Sequence, residues 1–243
     1  MDQKPVTSWK KRLGPVGVAI AAAVKYGSLI LTKGKFLISI LAFVGVYWTL
    51  FGWWFAVGLT GSVFLHEMGH YLAVRRFGFK AELPMFLPGL GAYVKWRGAD
   101  VDENIRAQIA LAGPFFGLIA GLISYAIYDA TGHGVWLALA QFTGYLNLLN
   151  LIPVFIFDGA PAMSALSVQA RMAVLLVCVS LYFTLGHEFL FLAVAAGVLY
   201  RLWKRDFPAE PRQVIAYYFI ALVIGNGMLS WFAKTQAQGL FGR

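Results

Sequence analysis

His66-Glu67-Met68-Gly69-His70 sets two imidazoles four residues apart with a carboxylate beside the first. On an α-helix, positions four apart differ by about 40° around the axis and about 6 Å along it, so both rings can grip one metal ion. Imidazole nitrogen suits Zn²⁺, and a catalytic zinc takes three protein ligands while leaving its fourth position to water. A carboxylate at position 67 can accept a proton from that water and hand it to a leaving amine. The pentad therefore predicts metal-assisted hydrolysis, with one zinc ion per chain, His66 and His70 as ligands and Glu67 as the general base. A third ligand has to come from elsewhere in the chain.

On the solvated face of a soluble helix the same five residues can be a chance string. Here the pentad is flanked by apolar residues, 58–65 before it and 71–74 after it. Ionisable side chains at membrane depth are expensive and mark function, because they need partners or a wet cavity. The whole chain supports that setting. Hydrophobic residues make up 60% of its 243 residues, charged residues only 13%, and the mean hydropathy is +0.70. This composition excludes a soluble globular protein and predicts an all-α polytopic membrane protein in a lipid bilayer.

The elements that must carry the site follow in order. Residues 13–32, bracketed by basic residues and interrupted by Lys25, read as a helix lying in the membrane interface. Residues 36–74 are apolar over too great a length for one helix across a core of about 30 Å. They divide near Phe51-Gly52 into a first span and a second span that bears the pentad, with Trp48, Trp53 and Trp54 as an aromatic belt at the split. In the connection that follows, 79–83 and 91–96 look like strands separated by a Pro/Gly-rich loop, which would make a short hairpin. An ordinary amphipathic interfacial loop is the alternative. Residues 105–128 form the third span, where Gly117 and Gly121 allow close helix approach. A turn at 129–134 contains His133 as a loop residue.

The fourth span starts near Val135 and is broken by Pro153. Residues 172–203 read as two half-spans turning at His187-Glu188, with one tilted helix as the alternative, and 214–232 as a last span. About six transmembrane segments result. They group as a basic N-terminal segment over 1–35, a core over 36–170 that bears the pentad and C-terminal segments over 171–243, with no internal repeat.

Charge orients these elements. The 20 Lys and Arg outnumber the 11 Asp and Glu, yet they sit in short clusters beside apolar runs, which sets topology and does not call for nucleic acid. Lys4, Lys10, Lys11 and Arg12, with Arg75, Arg76, Lys80, Lys95, Arg97 and Arg106, place the N-terminus and the 77–104 connection on the cytoplasmic side. The active site then lies toward that side. Asp158 arrives at the same face at the end of the fourth span. By itself Asp158-Gly159 would be a helix-terminating turn, but joined to the pentad it is the natural third zinc ligand. The lone Cys178 provides neither a disulfide framework nor a cysteine zinc site.

Taken together, His66-Glu67-Met68-Gly69-His70, Asn150-Leu151-Ile152-Pro153 and Asp158-Gly159 resemble the motifs of the site-2 protease family of intramembrane zinc metalloproteases, over roughly 50–165. The resemblance implies a core of three spans around a zinc held by His66, His70 and Asp158. It further implies substrate binding by the Asn150/Pro153 motif, with Asn150 holding the substrate backbone, and a membrane-associated β-hairpin in the 83–94 region. The implied activity is hydrolysis of peptide bonds in transmembrane protein or peptide substrates. Where many relatives carry Gly-Pro-x-x-Asn in the third core span, this chain reads Gly113-Pro114-Phe115-Phe116-Gly117. The rival function class is a catalytically silent metal-binding membrane protein or a transporter. A transporter, however, needs ionisable residues spread along a path, and here they cluster on one side.

Overall fold

A computed structural model describes the backbone of residues 15–98 and 101–241, and the side chains of residues 33–98 and 101–239. The basic residues Lys4, Lys10, Lys11 and Arg12 lie outside the described residues. Eight helices and one two-stranded hairpin follow in order among the described residues: α1 (Pro15–Phe51), α2 (Trp53–Arg76), β1 (Met85–Leu87), β2 (Gly91–Tyr93), α3 (Glu103–Thr131), α4 (Gly134–Asn150), α5 (Gly159–Ser164), α6 (Val168–Thr184), α7 (Phe189–Lys204) and α8 (Gln213–Phe241).

The protein is a helical integral membrane protein. Among the described residues three stretches, Lys33–Phe51, Glu103–Thr131 and Gln213–Gly239, are long and apolar enough to cross a bilayer. Helix α2 is 24 residues long, but Glu67, Arg75 and Arg76 lower its hydropathy. Helices α4 and α6 have 17 residues each and α7 has 16. At 1.5 Å per residue, 17 residues reach about 26 Å, slightly less than the hydrocarbon core.

The boundary between α1 and α2 falls at Gly52, whose φ of 82° a residue with a side chain rarely adopts. Trp48 and Trp53 pack across this corner with ring centroids 5.2 Å apart, and both are exposed, as is Trp54. Helix α1 runs from Pro15 to Phe51 as one helix, so the expected interfacial segment and the first span are not separated by a break in the helix.

The hairpin exists, but its first strand lies elsewhere than expected. The ladder pairs Met85 with Tyr93, Phe86 with Ala92 and Leu87 with Gly91. Of the expected 79–83 strand only an isolated bridge from Ala81 to Trp96 remains, beside the bond from the Glu82 N–H to the Lys95 carbonyl. Pro84 accounts for the interruption, because it has no N–H to donate and forces its neighbour out of register. Pairing resumes at Met85 because Phe86 is buried against α1, with ring centroids 5.4 Å from Phe43 and 6.4 Å from Phe36. The Phe86 N–H donates to Ser39 Oγ at 3.3 Å, which fastens the hairpin to α1.

Helix α3 begins at Asp102, whose carboxylate accepts from the N–H groups of Asn104 and Ile105. It packs between α2 and α4, and α4 packs in turn on α8. Close approach of α2 to α3 requires Gly69, since a Cβ there would lie 2.3 Å from the Ala112 carbonyl oxygen. The expected break in 172–203 is present, with α6 turning into α7 through Gly186 and His187 in left-handed conformations. Each helix, however, is nearly as long as the hydrocarbon core is thick and is more than a half-span. Glu188 at that turn pairs with Lys234 of α8. His187 is a turn residue and His133 the exposed residue before α4.

Arg171, in the first turn of α6, is fully buried. Its guanidinium donates to Asp206 Oδ1 and the Arg201 carbonyl at 2.8 Å each, and to the Met163 carbonyl at 3.1 Å. Arg201 of α7 completes the cluster, 2.8 Å from Asp206 Oδ2 and 2.6 Å from Ser164 Oγ of α5. This network ties α5, which follows directly on Asp158, to α6 and α7. Arg171→Ala strands those acceptors and is expected to destabilise the fold by about 3–5 kcal/mol. The measurement is the midpoint of thermal unfolding in detergent, and an unchanged midpoint would show that the cluster contributes nothing.

Candidate metal centre

Helix α2 carries His66, Glu67 and His70, and the segment between α4 and α5 carries Asp158. Helix α4 ends at Asn150, and the chain turns through Leu151, Ile152 and Pro153 before reaching Asp158. His66 and Glu67 are each 6% exposed. The ligand atoms of His66, His70 and Asp158 all lie within 4.8 Å of one another, although 88 residues separate Asp158 from His70 in the chain (158 − 70).

The three contacts between these groups are nearly equal. His66 Nε2 is 3.1 Å from Asp158 Oδ2, His70 Nε2 is 3.3 Å from Asp158 Oδ1, and the two Nε2 atoms are 3.2 Å apart. Ligands about 2.05 Å from a tetrahedral zinc stand about 3.3 Å from one another. Two imidazoles and a carboxylate are also the nitrogen and oxygen donors that zinc accepts, so both the donor set and its spacing fit the ion.

Each ring is held from behind. His70 Nδ1 donates to the Ile109 carbonyl of α3 at 2.9 Å, which leaves Nε2 free to face the cluster. Pro114 lies one turn further along α3, where its missing N–H loosens the helix ladder at that level. His66 Nδ1 stands 2.9 Å from Asn147 Oδ1 of α4, and Asn147 Nδ2 donates to Asn226 Oδ1 of α8 at 2.9 Å. The Val94 backbone, just past β2, lies beside the Glu67 carboxylate and brings the hairpin to the site.

Two glycines of α3 make room for this arrangement. A Cβ at Gly113 would lie 2.1 Å from His70 Nε2 and 2.8 Å from His66 Nε2, in the space toward which the ligand atoms converge. Gly113→Ala is therefore expected to lower metal affinity by at least about tenfold, as misplacing ligands does. Chelator competition measures this, and an unchanged affinity would mean that the histidines can move aside. A Cβ at Gly117 would lie 2.2 Å from Asn147 Oδ1. The space beside Gly117 is thus filled by an asparagine from α4.

The remaining expected residues lie nearby. Asn150 is half-buried at the end of α4, and its side chain makes no hydrogen bond to another described residue. Pro153 is buried against α7, where a Cβ at Gly197 would come within 2.6 Å of its ring. Asn147, Asn226, Gly113 and the Ile109 carbonyl were not anticipated. Asn147 and Asn226 had one signal, namely an amide in an apolar span, which needs a partner. Nothing in the sequence pointed to a particular backbone carbonyl.

Comparison with known proteins agrees with this geometry. The model of the family described as Peptidase family M50 matches residues 54–134, which cover α2, the hairpin and α3. The chain is 28% identical over 117 residues to a probable zinc metalloprotease EGY1, chloroplastic, of Arabidopsis thaliana, covering 46% of this chain and 20% of that protein. It is 27% identical over 110 residues to zinc metalloprotease MJ0392 of Methanocaldococcus jannaschii, covering 43% of this chain and 32% of that protein. The match thus spans a fifth to a third of those relatives' lengths. No solved structure matches. The pentad lies inside the matched segment, and the fold brings Asp158 to it from outside that segment, so over residues 54–134 the chain is similar to Peptidase family M50.

Proposed function

We propose that the protein is an intramembrane zinc metalloprotease that hydrolyses peptide bonds of transmembrane proteins or peptides. The observation that carries this reading is the convergence of His66, His70 and Asp158 beside Glu67, largely buried within a helical membrane protein. The zinc metalloprotease names of its relatives point the same way. No observation favours a silent binder or a transporter.

His66, His70 and Asp158 would hold the ion. Bound there, zinc supplies a water of lowered pKa and a Lewis acid for the scissile carbonyl. Glu67 takes the proton of the attacking water onto its carboxylate and delivers it to the leaving amine. Asn150, with its side-chain amide unengaged, holds the backbone of the extended substrate, and Pro153, wedged on α7, fixes the segment that presents Asn150. A substrate helix must unwind to expose its carbonyl, and it does so by adding as a strand to the hairpin beside Glu67. Phe155 and Ile156, 89% and 95% exposed, offer apolar surface close to Asp158.

In the membrane, α1, α2, α3, α4, the α6–α7 pair and α8 form about six transmembrane segments, and α2, α3 and α4 form the zinc-binding core. Residues 1–35 are the basic leading segment, 36–170 the protease core and 171–243 the C-terminal segments. Arg75 and Arg76 at the end of α2, and Arg201 and Lys204 at the end of α7, orient these ends and the active site toward the cytoplasm.

The test is zinc content together with cleavage of a panel of transmembrane peptides by the purified chain in detergent and in liposomes. Cleavage that is lost on chelation and restored by zinc is the expected result. A zinc-loaded chain that cleaves nothing in either setting would replace the protease with a silent metal-binding protein.

A further inference from the structure

We infer that Asn226 of α8, acting through Asn147 of α4, is a positioning residue that fixes the tautomer of His66 and so keeps its Nε2 lone pair aimed into the metal centre. The order of donors and acceptors can be read outward from a backbone carbonyl. Asn226 Nδ2 lies 2.9 Å from the Leu222 carbonyl oxygen, which can only accept, so the amide nitrogen of Asn226 must face it. Asn226 Oδ1 is thereby turned toward Asn147, whose Nδ2 donates across 2.9 Å. Asn147 Oδ1 is left facing His66 Nδ1 at 2.9 Å, and that nitrogen must carry the ring proton.

One polarity therefore runs from α8 through α4 to α2. No member can flip alone without setting two acceptors or two donors against each other. Asn147 is 2% exposed and Asn226 fully buried, so water does not relax the constraint. His70 has its Nδ1 on the Ile109 carbonyl. With both rings protonated at Nδ1, the 3.2 Å contact between the two Nε2 atoms contains no hydrogen and is relieved by a cation. Gly117 is what lets Asn147 occupy this place. Asn226 stands well beyond the 54–134 segment that matches the family, so the C-terminal helix acts on the metal centre and does more than fill space around it.

The consequence for metal binding rests on the zinc reading above, whereas the tautomer does not. The first measurement is ¹⁵N-histidine NMR of the metal-free full chain in detergent, above the pH at which imidazole titrates. Only 4 histidines contribute signals. His66 is expected as the Nδ1–H form in the parent and as a mixture with the Nε2–H form in Asn147→Leu and Asn226→Leu. Zinc affinity, measured by chelator competition, falls by about 10–100-fold in both, as loss of a partner behind a ligand does. Asn226→Asp is expected to keep the parent tautomer and affinity, because a neutral buried carboxyl can donate to Leu222 and accept from Asn147.

Ser230→Ala, at the same α4–α8 contact, is expected to change neither readout. If the leucine variants do not fold, Asn226→Ser, too short to bridge Leu222 and Asn147, takes their place. An unchanged His66 tautomer in the variants, or an equal loss of affinity in Ser230→Ala, would overturn the inference. A parent chain that holds no zinc would defeat the protease reading, and the tautomer measurement would still decide the relay.

Discussion

Glu67→Gln is expected to leave zinc binding intact while lowering peptide hydrolysis by about 10²–10⁴-fold, the usual contribution of a positioned general base. Glutamine matches glutamate in shape, so the place of the side chain beside the Val94 backbone is kept. It cannot take up a proton. Glu67 is not among the three groups whose ligand atoms converge, so its loss should not release the ion. Metal analysis and cleavage have to be measured on the same preparation. Hydrolysis within a few-fold of the parent would remove Glu67 from the mechanism, and loss of zinc would make it a ligand.

Asp158→Ala is expected to do the opposite, lowering zinc affinity by at least about 100-fold and abolishing cleavage as a result. It removes the only carboxylate among the three donors and leaves two imidazoles, which hold zinc poorly without a third ligand. The substitution separates function from folding, because Asp158 precedes α5 without capping it through a side-chain hydrogen bond. The metal-free variant should therefore unfold close to the metal-free parent, and the difference between them should appear only when zinc is added. Full zinc retention by Asp158→Ala would eliminate it as a ligand. Unfolding at lower temperature without metal would show that Asp158 serves the turn.

Much of the fold was legible because membrane segments are written in long apolar runs, and breaks between them in Gly, Pro and charge. Gly52 ended α1 where the 36–74 run had to divide, and Gly186-His187 turned α6 into α7. The hairpin was read only approximately. Periodicity marked 79–83 as a strand, but Pro84 denied it a continuous ladder, and the burial of Phe86 against Phe36 and Phe43 moved the pairing to Met85–Leu87. Nothing in the sequence sets Arg171 apart from the other basic residues. Yet it is fully buried, because Asp206, which is remote in sequence, folds back onto it.

The chemistry of the site followed from residue type and local spacing, since the i, i+4 geometry of one helix puts His66 and His70 on a common face with Glu67 beside them. Asp158 could be named as the candidate third ligand, because charge asymmetry and what zinc accepts narrowed the choice, and the fold places it beside the two histidines. Folding alone revealed what stands behind those ligands. The Ile109 carbonyl, the Asn147–Asn226 relay, and the space kept open at Gly113 and Gly117 depend on four helices meeting within a few ångströms. Hydrogen bonds and steric contacts act at that range between residues far apart in the chain. Linear spacing carries the identity of a ligand, and packing carries its orientation.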